Sequence, residues 1–263
     1  MALIDAPLIL PKLALLTVWG WHTNDLGNLH PVFGTNTAYY MPDEATARIE
    51  AGTWELLGQH RLARGQRVNP LLIDTLTVIG RADREFYGWT AYPAASERAG
   101  DGGGFFTGAR DRDAVRVLVD DDAVILQPLP DHRYLAADLV EVLPPVETAD
   151  IRDLSVPRTP PARAVTVAAA RSPLAHPEPE TGDPDRDLIT DLMHAPREAT
   201  HQVYTAVTNA RGRSRSVPIT AVDLTEHGRL LTYTNTNDDG TEYLHLTGSD
   251  GLVRLLENTN RTL

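Results

Sequence analysis

Hydrophobic positions along this chain change their spacing several times, and these changes mark out the predicted elements. The apolar run Leu13–Trp19 contains β-branched residues and has the length of a strand, so it predicts a first strand. Apolar residues then recur at helical spacing in two segments. The first opens at Pro42 with two acidic residues in its first turn, and the second is capped by Asn69 and ended by Gly80. We therefore expect a strand followed by two helices.

From Arg84 the spacing becomes two, which indicates β-structure. Phe86–Tyr92 is an aromatic strand that Pro93 ends, and the glycine-rich stretch 93–104 is expected to be a loop. Alternating valines and a tight turn of three aspartates predict further strands. These strands are expected at Phe105–Ala109, Ala114–Val119 and Ala123–Gln127. A helix marked by Leu135, Leu139 and Leu143 completes this part of the chain.

The strand pattern returns at His201 and repeats the earlier order. Ser249 is predicted to cap a final helix after these strands. The strands are expected at His201–Ala210, Arg215–Leu224, Arg229–Thr234 and Thr241–Leu246. Residues 84–143 and 201–258 thus share one order of strands, a tight acidic turn and a helix.

The duplicated order predicts the fold class. We expect an α+β fold with a large, mostly antiparallel sheet of two pseudo-twofold-related units and helical subdomains packed on it. The whole of 1–263 is predicted to be one domain, with halves of about 1–145 and 146–263. Between the units, we expect a short strand near Ile151–Val156 and helices near 161–171 and Pro184–His194. Residues 174–183 are acidic and poor in hydrophobic residues, so a loop is expected there.

Charge and composition exclude several classes of function. The chain has 36 acidic and 24 basic residues and a net charge of −12, which disfavours a nucleic-acid or anionic-membrane binder. It has no cysteine, so disulfides, thiolate catalysis and cysteine-ligated metals are excluded. The apolar N-terminus carries Asp5, Pro7 and Pro11, which argue against a signal peptide, and no later segment reaches the length of a membrane span. We expect a cytoplasmic protein.

The sequence contains no recognisable catalytic pattern. Its nine histidines are scattered without HExxH spacing, its aspartate clusters fall in predicted turns, and its glycine-rich stretch lacks a phosphate-loop ending. We predict a binding protein with no catalytic site, metal or cofactor. Two alternatives stay open: an α+β ligand-binding protein or hydrolase with a site built from scattered His and Asp residues, such as His194 or His201 beside a carboxylate, and a homodimer built on sheet edges.

Several stretches resemble the EspG family, the cytosolic chaperones of ESX (type VII) secretion in actinobacteria. The most specific is GRADRE followed by FYGWTAY, which spans 80–92. LTVWGW at 16–21 is similar to the first strand of the family, and DLSVP at 153–157 to a short strand after the first half. The order of elements from HQVYTAVTNARG at 201–212 to the last helix also matches. The resemblance covers nearly the whole chain.

The resemblance implies a fold, a partner and a contact surface. It implies a central antiparallel sheet with two helical subdomains, and a chaperone that binds the helical tip of a PPE protein in a PE–PPE heterodimer, keeps it soluble and targets it for export. The sheet, the C-terminal helical lobe and a loop at 93–104 would form the contact. The chain departs from the family in its shortened, proline-rich segment 157–183.

We place the predicted partner contact on the second sheet unit and the helix at 184–197. The candidate residues are Arg213, Arg215, Tyr233 and Asp238. The two arginines would suit an acidic partner. A homodimer of the free protein is a further expectation.

Overall fold

The structure is a computed structural model that describes residues 3–34, 42–158 and 184–263. In these ranges the chain forms seven α-helices and two short 3₁₀ turns, the latter at Pro31–Phe33 and Ser249–Gly251. The helices are α1 (Lys12–Trp21), α2 (Thr23–Leu26), α3 (Asp43–Gln59), α4 (Pro70–Gly80), α5 (Leu135–Val140), α6 (Pro184–His194) and α7 (Leu252–Arg261).

One sheet contains all eleven strands of the described residues. The strands are β1 (Leu8–Pro11), β2 (Arg84–Ala91), β3 (Gly104–Arg110), β4 (Asp113–Val119), β5 (Ala123–Leu129), β6 (Leu154–Pro157), β7 (Arg197–Asn209), β8 (Gly212–Arg215), β9 (Ile219–Leu224), β10 (Gly228–Thr236) and β11 (Glu242–Gly248). Their order is β1-β5-β4-β3-β2-β7-β9-β10-β11-β6, and β8 pairs with β7 off this path. The strand pairs are antiparallel.

The antiparallel pairing of β2 with β7 joins the two halves of the sheet. It runs from Arg84 opposite Val207 to Ala91 opposite Thr200. On one side the order is β2, β3, β4, β5 and then the short edge strand β1. On the other side the order is β7, β9, β10, β11 and then the short edge strand β6. This mirrored order and the packed helices confirm the predicted α+β fold with a large antiparallel sheet. We call the β2–β7 pairing the seam.

The two faces of the sheet are covered by different helices. Residues directly opposite each other in an antiparallel pair point to the same face, and successive residues alternate. On face A, α1–α4 pack on Tyr87, Phe106 and the valines of β4. Further along the same face, α6 packs through Ile189 and Leu192 on β9, β10, β11 and β6. On face B, α5 and α7 cover the centre of the sheet.

The structure corrects the predicted first strand. Leu13–Trp19 lies in α1, and the first strand is the preceding segment Leu8–Pro11. Ala14, Leu15, Val18 and Trp19 are the buried residues of α1, a spacing that places them on one side of a helix. The continuous apolar run conceals this spacing, because half-buried hydrophobic residues fill the positions between them.

A second correction concerns the predicted strand Arg215–Leu224. The chain leaves β8 at Arg215 and resumes pairing only at Ile219, so this segment forms two strands. Pro218 lacks the N–H group that a ladder needs, and it lies in the interruption. The other strands of both units lie within a few residues of their predicted positions. The predicted helix near 161–171 and loop 174–183 lie outside the described residues.

Candidate partner-binding surface

The seam exposes an aromatic strip on face A, between the helices that cover the two halves. Tyr87 stacks on Tyr204 across the seam, with ring centroids 5.5 Å apart and an angle of 18°. Trp89 meets the edge of Tyr204 at 5.8 Å. Tyr87 is fully buried, whereas Trp89 and Tyr204 are only half-buried. Successive residues of a strand point to opposite faces. Phe86 and Val203 lie on face B, so Tyr87 and Tyr204, which follow them, lie on face A.

Arg213 reaches the strip from β8 but is already engaged within the protein. Its guanidinium binds Oε1 of the buried Glu85, with Nε at 2.8 Å, and its Cζ lies 5.6 Å from the ring centroid of Tyr87. Burial raises the pKa of Glu85, but the hydrogen bonds and charges of His30 and Arg213 outweigh burial and hold this pKa below its usual value. Arg213 therefore helps a carboxylate to lie beneath the sheet surface.

His30 completes the surroundings of Glu85. Its Nδ1 accepts a hydrogen bond from the backbone N–H of Val32 at 3.1 Å, so the ring proton of the neutral form lies on Nε2. Nε2 is 3.4 Å from Oε1 of Glu85, which is long for a hydrogen bond. The ring also packs edge-on against Tyr87 at 4.9 Å. His30 and Arg213 together therefore hold the pKa of Glu85 below its usual value.

Arg215 differs from Arg213 although both lie on the same short strand. Its Cζ lies 4.8 Å from the ring centroid of Tyr204, and the side chain is exposed. Among the described residues, no acceptor hydrogen-bonds its guanidinium. The structure therefore brings both predicted arginines to the aromatic strip, one bound to a carboxylate and one stacked on a ring.

The other two predicted residues lie elsewhere. Tyr233 points to face B, where it stacks on His245 with ring centroids 4.9 Å apart. Burial, and then the charge of Asp153, raise the pKa of Tyr233. Asp238 is exposed in the turn between β10 and β11. The four candidates thus do not form one cluster, and their role in binding stays a prediction.

A groove of about 470 Å³ extends the aromatic strip toward the glycine-rich loop. It lies where β2 and β4 end and β3 begins, and Trp89 and Tyr92 line it together with Lys12, Asp120 and the glycines at 100 and 102–104. The loop is held to the sheet by the N–H of Thr90, which donates to the carbonyl of Gly103 at 2.9 Å. The predicted contact loop therefore borders the same face as Arg213 and Arg215.

A buried polar network crosses the seam on face B; sequence reasoning named His201 beside a carboxylate as an alternative site but did not find Thr90, Asp223 or Arg229. Nε2 of His201 lies 3.0 Å from Asp223, and its Nδ1 lies 2.8 Å from the hydroxyl of Thr90. Arg229 binds both oxygens of Asp223 at 2.5 and 2.8 Å and donates to the carbonyl of Pro144 at 2.9 Å. Burial raises the pKa of Asp223, but the hydrogen bonds and charges of Arg229 and His201 lower it below its usual value.

The chemistry of this network favours cohesion of the sheet. Asp223 must accept the hydrogen bond from His201, so in the neutral form of the ring the proton lies on Nε2 and Nδ1 accepts from the Thr90 hydroxyl. Both carboxylate oxygens are occupied by Arg229, and His201 is fully buried. The only sequence signal was the polar residues His201, Asp223 and Arg229 at inward positions of predicted strands, where alternation favours apolar residues.

Helix α6 forms the border of face A in the second unit. Ile189 and Leu192 are its buried residues, so its other side faces away from the sheet. Arg152 forms an ion pair with Asp185 in its first turn. The helix ends at His194, three residues before the end of the contact helix predicted at 184–197, because Arg197 begins β7.

The sequence model of the EspG family matches residues 13–252. The chain belongs to the EspG family. The resemblance carried by the stretch at 80–92 is thereby confirmed. No match was found among curated proteins.

A solved structure with a similar fold is that of the Mycobacterium tuberculosis type VII secretion system chaperone EspG5 in complex with the PE25–PPE41 dimer. The sequences are 10% identical, and the alignment covers 97% of this chain and 95% of that chain with a TM-score of 0.61. At this identity the likeness concerns the fold alone. Thus both chains share an EspG architecture across nearly their whole length.

Within this EspG family member, the stretch that carries the resemblance has a structural role. Gly80 ends α4, and Arg84–Ala91 is the β2 strand of the seam. A side chain at Gly80 would collide with the carbonyl oxygen of Leu26. The stretch therefore sets how closely α4 approaches α2 before the chain enters the sheet.

Across the described ranges, no helix has both the length and the hydrophobicity needed to cross a membrane. In the same ranges, no three His, Asp or Glu side chains converge to form a candidate metal site.

Proposed function

We propose that this protein is a cytoplasmic type VII secretion chaperone without catalytic activity that binds a PE–PPE-type heterodimer, keeps it soluble and targets it for export. The match of the EspG family over residues 13–252 carries this proposal. A fold shared with a chaperone that was solved in complex with a PE–PPE dimer supports it. The half-buried aromatic strip supplies a surface of the required kind, because an amphipathic helix packs its apolar face on an apolar surface.

The partner helix is proposed to lie on face A, across the seam and beside α6. Trp89 and Tyr204 are half-buried there, and large aromatic side chains are the usual anchors of protein interfaces. The 470 Å³ groove beside the glycine-rich loop continues this surface. We assign Tyr233 and Asp238 to separate parts of the molecule, on face B and in the β10–β11 turn, where they would touch a different part of the heterodimer.

Co-expression with a PE–PPE pair from the same genome tests the proposal. We expect a stable 1:1:1 complex on size-exclusion chromatography with light scattering. Gln202 is exposed and lies opposite Trp89 across the seam, so Gln202→Arg should weaken the complex by blocking the strip. The matched control is Val253→Arg, which places the same charge at an exposed position of α7. A soluble protein that retains no PE–PPE pair would contradict the proposal, and equal effects of the two variants would move the contact away from the strip.

The network Thr90–His201–Asp223 is the observation that favours a hydrolase instead. A hydroxyl, an imidazole and a carboxylate in series resemble the arrangement of a nucleophile, its base and an orienting acid. A cleft of about 370 Å³ reaches Asp223. We expect no turnover of p-nitrophenyl esters above background and no labelling of Thr90 by a fluorophosphonate. Labelling that Thr90→Val abolishes would establish the hydrolase.

A homodimer of the free protein is the third candidate. The same light-scattering measurement without partner gives its mass. A dimer that dissociates when the heterodimer is added is compatible with the chaperone, whereas a dimer that persists at all concentrations would favour a structural role.

A further inference from the structure

We propose that Arg215 binds a carboxylate on the partner helix while Trp89 packs against a neighbouring apolar side chain of the same helix. The inference rests on the proposed function and specifies the chemistry of its partner: a helix with an aspartate or glutamate beside an apolar residue. Three features of the strip lead to it.

The first feature is that two arginines only two residues apart differ in their partners within the protein. Arg213 is bound to Glu85, and its side chain is 37% exposed. Removing it from Glu85 would deprive a buried carboxylate of the arginine that donates hydrogen bonds to it. Arg215 is exposed, and within the described residues its N–H groups have no acceptor. Arg215 is therefore able to bind a partner at no cost to the fold, whereas Arg213 is not.

The second feature is the ring that supports Arg215. Its guanidinium lies 4.8 Å above Tyr204, and that ring is itself held by Tyr87 at 5.5 Å and by Trp89 at 5.8 Å. A guanidinium on an aromatic ring keeps its planar set of donors in one orientation. Fewer rotamers are lost when a carboxylate binds, so more of the interaction energy appears as affinity.

The third feature is the charge of the chain. A net charge of −12 disfavours a phosphate-rich ligand, which would need many cations on one face. A single carboxylate on a helix needs one planar cation and an apolar neighbour, and Arg215 with Trp89 provides both. Trp89 contacts the same ring as Arg215, so the two positions are adjacent on the surface.

Titration of Arg215 variants with the purified PE–PPE heterodimer tests the inference. We expect Arg215→Ala to lower affinity about tenfold and Arg215→Glu to lower it further, because loss or reversal of an interfacial charge leaves the partner carboxylate unpaired. The affinity of Arg215→Lys should lie between those of the wild type and Arg215→Ala, since lysine keeps the charge but loses the planar donors. The matched control is Arg211→Glu, an exposed position in the adjoining turn that contacts no ring of the strip.

The outcomes separate this inference from the proposed function. If wild-type protein binds the heterodimer and Arg215→Glu binds as tightly as Arg211→Glu, the inference is wrong and the chaperone proposal stands. If wild-type protein binds no heterodimer, the proposed function itself fails. The strongest support would be a charge exchange, in which an acidic-to-arginine change on the partner helix restores binding to Arg215→Glu but not to Arg211→Glu.

Discussion

Replacing Arg213 with alanine should destabilise the protein, because the buried carboxylate of Glu85 loses this ion-pair partner. Removing one partner of a fully buried ion pair costs about 3–5 kcal/mol, because the other charge stays buried without compensation. Arg213 is 37% exposed, so water screens this pair and the cost should fall to about 2 kcal/mol. For a chain of this size, that corresponds to a decrease of about 4–8 °C in Tm.

The pH dependence gives a sharper test, because the loss of stability in Arg213→Ala should itself depend on pH. In the wild type, the pKa of Glu85 in the folded state lies below its unfolded value near 4.5. The stability that Glu85 contributes is therefore present above that value and is lost as the pH falls through the folded pKa. Loss of Arg213 leaves only His30 to oppose burial, so the folded pKa of Glu85 should rise relative to the wild type, and the penalty in Arg213→Ala should grow as the pH rises toward neutrality.

Urea unfolding followed by tryptophan fluorescence, between pH 4 and pH 8, measures both effects. Glu85→Gln removes the buried charge but keeps the shape of the side chain, so Arg213→Ala should cost much less in that background. The neighbouring Arg215→Ala serves as the control, with an expected change within about 0.5 kcal/mol. Equal losses for the two arginine variants, or an Arg213→Ala effect that is the same with Gln at position 85, would refute this reasoning.

Three further changes test the fold. Gly88→Ala should prevent the seam from closing, because a methyl group would collide with the carbonyl oxygen of Gln202, and loss of soluble protein or of cooperative unfolding would show it. Arg229→Met should cost about 3–5 kcal/mol in urea unfolding, since the buried Asp223 loses both its strongest hydrogen bonds; a loss below about 1 kcal/mol would contradict this account. Ile9→Lys, at a side chain 62% exposed on the edge strand β1, should leave Tm within about 2 °C and reduce aggregation on heating.

The repeated order of strands was predictable from sequence because it rests on local signals. Alternation, tight turns rich in aspartate and helix caps act within about ten residues, and they placed β3, β4 and β5 close to their observed positions. The helix at Lys12–Trp21 was missed for the opposite reason. A continuous apolar run has no clear period, so its secondary structure depends on what the surrounding chain covers.

The candidate surface depended on contacts between residues that are far apart in sequence. Alternation indicated that Trp89 and Tyr204 lie in strands, but only the register of the seam shows that they meet. In the same way, Arg213 and Arg215 are equivalent by sequence, and their different roles follow from Glu85, which is 128 residues away from Arg213. Tyr233 carried no local sign that it lies on the other face from the arginines.

The seam also determines how this protein must be synthesised. Ala91 pairs with Thr200, so the ribosome adds 108 residues between them, which takes roughly 5–20 s at about 5–20 residues per second. During that interval β2, with its aromatic side chains, is an open strand edge able to pair with another chain. The first unit therefore exposes the unpaired edge of β2 until β7 of the second unit has been synthesised. Slowing translation between these strands should increase aggregation of the nascent protein, and this cost is independent of the stability of the finished fold.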